Sequence, residues 1–202
     1  MNKKGLLIVL VGPSGSGKDT VLREFFKRDT NTFLSVSATT RAPREGEVDG
    51  RDYYFVSREE FDSMIAEDGL LEYATYVGNS YGTPKKPVLE RIERGENVIL
   101  EIEVQGARKV LSLYPDAVSV FILPPSLTEL RRRLIGRGTE ELETVNRRLE
   151  TARGELPFAY ECSYVIVNDD IAAAAAELAA LICAERCAGK AMKETIDAVL
   201  NG

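Results

Sequence analysis

The chain has 202 residues, 44% apolar and 29% charged, which suits one soluble domain with a full core and short insertions. Its net charge of −6 argues against a general nucleic-acid binder with a basic face, yet leaves room for a small anion in a locally basic pocket. The absence of histidine removes Ser-His-Asp, Cys-His and other histidine-based mechanisms and favours chemistry that works by positioning and charge neutralisation.

Residues 6–11, Leu-Leu-Ile-Val-Leu-Val, form a continuous apolar run of the kind found in parallel strands covered on both faces. The run is too short for a signal peptide or a membrane span, so a cytoplasmic protein without membrane attachment is expected. A glycine-rich turn over 12–17 leads into a helix starting near Asp19. Residues 35–82 read as short strands and turns, punctuated by Pro43, Gly46, Gly50, Gly69 and Gly78, with one helix over 58–67. Then come a helix over 87–94, a strand over 97–102, and a strand over 117–123 stopped by Pro124-Pro125. Helical patterns over 126–134 and 141–160 enclose the arginine-dense stretch from Arg131 to Arg153. A strand over 164–167 stops at Asn168-Asp169-Asp170, a helix covers 171–187, and an amphipathic stretch follows Gly189 to Leu200.

Alternating strands and helices predict an α/β fold with a parallel sheet core and helices on both faces. The expected division is core over 1–36, an inserted subdomain over 37–84, core over 85–128, a helical lid over 129–156, and core with a C-terminal helical stretch over 157–202. Cys162, Cys183 and Cys187 are odd in number and show no zinc spacing, as expected of reduced thiols in a cytosol.

Gly12-Pro13-Ser14-Gly15-Ser16-Gly17-Lys18 fits the G-x-x-x-x-G-K part of a phosphate-binding loop, between a buried-type strand and a helix. Successive backbone N–H groups in such a loop form an anion nest, and the helix that follows adds its positive end. Lys18 can reach β- and γ-phosphates as a mobile charge. The pattern departs at the next position, where Asp19 stands instead of Ser or Thr and the hydroxyl arrives one residue later at Thr20. Asp19 suits a helix start in its own right.

The segment Ser37-Ala38-Thr39-Thr40-Arg41-Ala42-Pro43-Arg44-Glu45-Gly46-Glu47, then Gly50-Arg51-Asp52-Tyr53-Tyr54-Phe55, narrows the choice. With Leu71-Glu72-Tyr73, Gly78-Asn79-Ser80-Tyr81-Gly82-Thr83, Glu101-Ile102-Glu103-Val104-Gln105-Gly106 and Gly136-Arg137-Gly138-Thr139-Glu140, the chain resembles the guanylate kinases over about residues 5–188, in collinear order.

The resemblance implies a P-loop kinase core that binds ATP with Mg²⁺, a small GMP-binding domain and a lid. It implies that Arg41, Arg44, Tyr53 and Tyr81 surround the acceptor phosphate, with Glu47 of the same segment in the acceptor set. Glu72 and Glu103 would accept from guanine N–H groups, and Ser37 and Thr83 would lie near its O6; Glu103 departs from the aspartate frequent at its position. Arg133, Arg137 and Arg148 would reach the phosphates from the lid, and Asn168 would pass near the adenine. Thr20 and, through water, Glu101 are the candidates for the metal side, and Lys18, Arg41, Arg137 and Arg148 for catalysis.

The acceptor, a phosphate oxygen, is already ionised at neutral pH and needs no general base, in keeping with a chain without histidine. Two alternatives remain: a related kinase with another phosphate acceptor, and a guanylate-kinase-like module that binds peptides without catalysis. The first is disfavoured by Glu72, Ser37 and Thr83 together. The second is disfavoured because Lys18, Arg41, Arg44, Arg137 and Arg148 are all present. Oligomeric state is not legible.

Overall fold

The computed structural model describes residues 4–76, 78–136 and 142–202. Five parallel strands form the main sheet: β1 (Leu7–Val11), β2 (Thr32–Leu34), β7 (Asn97–Glu101), β8 (Val118–Leu123) and β9 (Tyr164–Val167). Their order is β2-β7-β1-β8-β9, with β1 paired to β7 from Leu7↔Val98 and to β8 from Ile8↔Val118. Neighbours on both sides of β1 thus arrive much later in the chain. In open sheets of this kind, ligands bind beyond the carboxyl ends of the strands, where the order reverses.

The period of two in a strand sends alternate side chains to opposite faces. Ile8 and Leu10 pack with Val21, Leu22 and Phe25 of α1 (Lys18–Phe25) and with Ala174, Leu178 and Ile182 of α7 (Ile171–Cys187). Leu7, Val9 and Val11 pack on the other face with Val88 of α3 (Lys85–Glu93), Ala107 and Val110 of α4 (Val104–Leu113), and Phe158. Full burial of each such aliphatic side chain stabilises by about 1.5–3 kcal/mol. An all-apolar β1 is the sequence signature of this double cover.

A second sheet, order β4-β3-β6-β5, is built from β3 (Ala38–Thr39), β4 (Tyr54–Phe55), β5 (Leu70–Tyr76) and β6 (Asn79–Pro84). Helix α2 (Arg58–Ala66) opens on a reciprocal cap between Ser57 and Glu60 and supplies Phe61 to a small core with Ala38 and Leu70. Helices α5 (Leu127–Ile135) and α6 (Leu142–Glu155) join through Leu130, Leu134, Val145 and Ala152. A last helix, α8 (Lys193–Asn201), ends the chain.

Two expectations needed correction, and two elements had not been expected. The helix expected over 141–160 gives way after Glu155 to a 3₁₀ turn, Leu156–Glu161, because Pro157 lacks the N–H that an α-helix interior requires. The helix expected from residue 87 starts at Lys85, with Pro87 in the first turn, where an N–H has no intrahelical partner anyway. Helix α4 and strand β2 were not anticipated. Gly106 near the start of α4 obscured a helical face that Ala107, Val110 and Leu111 carry.

Asn97 locks the start of the sheet. Its Oδ1 accepts from the Leu6 N–H at 3.1 Å, and its Nδ2 donates to the Thr32 hydroxyl at 3.2 Å, tying β7 to the entry of β1 and to β2. Asn97→Ala strands two inner polar groups and should cost about 2 kcal/mol or more, read as a lower urea midpoint at unchanged slope. An unaltered midpoint would remove this lock from the account.

Candidate active site

The turn between β1 and α1 carries the phosphate loop. Gly17 has φ +91°, and a Cβ there would stand 2.3 Å from the Asn168 amide nitrogen, so the position requires glycine. That amide nitrogen donates to the Ser16 carbonyl at 2.8 Å. Arg133 donates to the same carbonyl at 3.2 Å and to the Asn168 carbonyl at 2.9 Å, and its third contact is Glu129 at 2.8 Å. Lys18 Nζ donates to the Gly12 carbonyl at 2.7 Å and stands 4.0 Å from Glu101. The Thr20 hydroxyl donates back to the Gly17 carbonyl at 2.6 Å. Arg148 reaches across from α6 to the Ser14 hydroxyl. Arg137 lies outside the described residues.

Between this loop and the second sheet is a cavity of about 420 Å³, lined among others by Lys18, Asp19, Ser37, Tyr53, Tyr81 and Glu72. Glu101, Glu103 and Gly106 complete one wall from the end of β7 and the start of α4. Glu72 is 7% exposed; its Oε1 accepts from the Thr83 hydroxyl at 2.8 Å. Burial raises its pKa, while the Thr83 hydrogen bond and the Lys109 charge oppose that shift.

Arg41 is forked between the Glu47 carboxylate and the Ala42 carbonyl, both at 2.8 Å, over the Tyr53 ring at 5.3 Å. The other oxygen of Glu47 accepts from the Arg44 backbone N–H at 2.7 Å. Glu47 therefore orients the Arg41 side chain and the Arg44 backbone. The Arg41 bond, first, and the Arg44 N–H hold its carboxyl below the usual range. Tyr53 and Tyr81 meet edge to face at 6.1 Å beside this fork.

Two of the expected site residues have partners within the protein. Thr83 is 1% exposed, and its hydroxyl donates a hydrogen bond to Glu72 Oε1, which orients the carboxylate. Asn168 is likewise 1% exposed, and its amide props the phosphate loop from beneath.

The acids around Lys18 bear on a metal. Glu101 has its pKa raised to about 7, by burial first and then by the Asp19 charge, against the pull of Lys18. No group of three or more potential ligands converges among the described residues. A facing pair of hard carboxylates beside a phosphate loop nonetheless fits a cation such as Mg²⁺, which takes one or two carboxylates and completes its shell with water and substrate phosphates. Asp19, not simply a surface residue at a helix start, faces that cavity. Glu155, at the end of α6, was not singled out in the sequence. It is half-buried within the field of Glu103 and Lys18, and no local motif announces it.

Residues 4–185 match the family model described as guanylate kinase. A guanylate kinase of Halalkalibacterium halodurans is 53% identical over 185 residues, covering 92% of this chain and 91% of its own. One from Gloeobacter violaceus is 58% identical over 168 residues, 83% and 82% of the two chains. The crystal structure of guanylate kinase from Anaplasma phagocytophilum superposes with a TM-score of 0.76 at 37% identity, covering 93% of this chain and 89% of that one. "TT1252 from Thermus thermophilus", at 16% identity and a TM-score of 0.52, shares the fold. A phosphate loop facing a carboxylate-walled cavity, and these matches over nearly the whole chain, show that it belongs to the guanylate kinase family of ATP:GMP phosphotransferases.

Proposed function

We propose that the phosphate loop, the second sheet and the α5–α6 pair divide the transfer of the ATP γ-phosphate to GMP or dGMP among them. One observation carries this reading: a single cavity is lined by both Lys18 and Glu72. Residues 37–84 bind the acceptor, 129–156 act as lid, and 1–36, 85–128 and 157–202 form the core. The reaction runs in the cytoplasm.

Arg41 and Arg44, with the hydroxyls of Tyr53 and Tyr81, hold the GMP phosphate through charge-assisted bonds, and Glu47 keeps the fork in place. Glu72 accepts from guanine N–H groups, with Glu103 second and the Ser37 hydroxyl at the cavity wall. Residues 12–17 cradle the ATP phosphates. An oxygen of the GMP phosphate attacks the γ-phosphorus as the bond to the β–γ bridging oxygen breaks, giving GDP and ADP. Lys18, Arg133, Arg137 and Arg148 neutralise the spreading charge. Asp19 and Glu101, directly or through water, would hold Mg²⁺ carried in with ATP; when bound it supplies further charge neutralisation on the phosphates. Thr20 stands on the same side; its hydroxyl donates to the Gly17 carbonyl, which leaves the oxygen lone pairs for the metal side.

Lys18→Met should lower kcat by about 10²-fold or more while GMP binding stays near normal, since Lys18 acts on charge that develops in the transition state. Coupled ADP formation and GMP titration measure both. Near-normal turnover would take this lysine out of the mechanism. Glu72→Gln mixes donor and acceptor where guanine requires acceptors only. The GMP-to-AMP ratio of kcat/KM should narrow, and an unchanged ratio would falsify the base-reading role.

Glu155 supplies a pH-dependent check on closure of the lid over the core. Its pKa is raised from 4.5 to about 7, by burial first and then by the Glu103 charge. The fold therefore favours the protonated form. That contribution to stability is fully present below pH 4.5 and lost as pH rises through 7. Glu155→Gln stays neutral throughout, so its melting temperature should overtake that of the parent progressively between those limits. A difference that is flat with pH would show that Glu155 is not held in this environment.

A further inference from the structure

We infer that Gly106 is a positioning residue for base selection: its missing side chain is the seat of the Glu72 carboxylate. The inference rests on the reading of Glu72 as the guanine acceptor. Gly106 is the third residue of α4, and a Cβ there would stand 2.6 Å from Glu72 Oε2, 3.1 Å from its Cδ and 3.4 Å from its Cγ. The carboxyl group thus approaches the first turn of the helix with Oε2 foremost, at the end whose backbone dipole favours negative charge.

Neither partner can yield freely. Ala107 and Val110, which follow the contact along α4, are fully buried against the main sheet, which fixes the helix. Glu72 Oε1 is held by Thr83, so a methyl group at residue 106 would push the carboxylate off that bond and toward the cavity. One turn further on, Lys109 donates to the Tyr73 carbonyl at 3.0 Å and lies 4.7 Å from the Tyr73 ring. The same face of α4 therefore fixes the backbone of β5 and the carboxylate that β5 carries. The core helix sets where the acceptor base is read, although neither Gly106 nor Lys109 needs to touch the base.

The test is a cycle of Gly106→Ala, Glu72→Ala and the double variant, assayed with GMP, AMP and ATP. Gly106→Ala should raise KM for GMP by about tenfold or more, the scale of a polar group displaced from its partner. KM for ATP should stay within about twofold, the scatter of sites that do not interact. Alanine is the better helix former, so helix propensity does not explain a loss. In the Glu72→Ala background the same substitution should change little, because no carboxylate remains to be displaced. A KM for GMP within twofold of the parent, or an equal loss in both backgrounds, overturns the inference. Urea unfolding of the four proteins reads the contact without any assay: Gly106→Ala should lower the midpoint only where Glu72 is present. Equal midpoint shifts in both backgrounds overturn the seat whatever the kinetics. A parent protein that makes no GDP from GMP overturns the functional reading, and the unfolding cycle then still decides the contact.

Discussion

The carbonyl of Ser16 faces inward, held by the Asn168 amide and the Arg133 guanidinium. In a planar trans peptide the C=O and the following N–H point in opposite directions. Pinning this carbonyl inward turns the Gly17 N–H outward, to the side where the loop can present donors to an anion. Three parts of the chain far apart in sequence meet here: the loop after β1, the end of β9 and the last turn of α5. The phosphate nest is therefore a tertiary structure. Its sequence motif supplies permissive glycines, and Asn168 and Arg133 supply the orientation.

Electrostatics organises the space beyond the loop. Lys18 lies within the fields of Glu101 and Glu155, and each of these carboxyls is driven toward its neutral form near pH 7. Without substrate, the region balances one mobile cation against several acids in low dielectric. In the proposed acceptor site, Arg41 is paired with Glu47, so its fork has a geometry fixed in advance. The cost of assembling like charges has been met in folding, and nucleotide binding can draw on it. Thr83 does for Glu72 what Glu47 does for Arg41: each has a hydrogen-bonded partner that fixes its direction.

Much of this was legible in the sequence because it rests on local rules. The all-apolar run of β1 announced a strand covered on both faces, and Gly12 to Lys18 announced the phosphate loop, since turn geometry and anion binding are properties of a few adjacent residues. The site was legible only as a set of residue types. The motif positions of Thr83 and Asn168 gave no sign that both are buried and bonded within the protein, because burial depends on packing from other elements. Glu155 was invisible for the same reason: its meaning comes from Glu103 and Lys18, distant in sequence. Helix α4 was missed where Gly106 interrupts a helical pattern. That interruption makes sense only once Glu72 is seen against it.

The position of β1 at the centre of the sheet has a consequence for biosynthesis. Leu7 pairs with Val98, and Ile8 pairs with Val118, so the first strand made is without neighbours until about 90 to 110 residues have followed it. At about 5–20 residues per second, that leaves a bare apolar strand waiting on the order of five to twenty seconds at the ribosome. Non-local parallel pairing of this kind closes slowly. The segment that anchors the phosphate loop in the finished enzyme is, during synthesis, the one most in need of shielding.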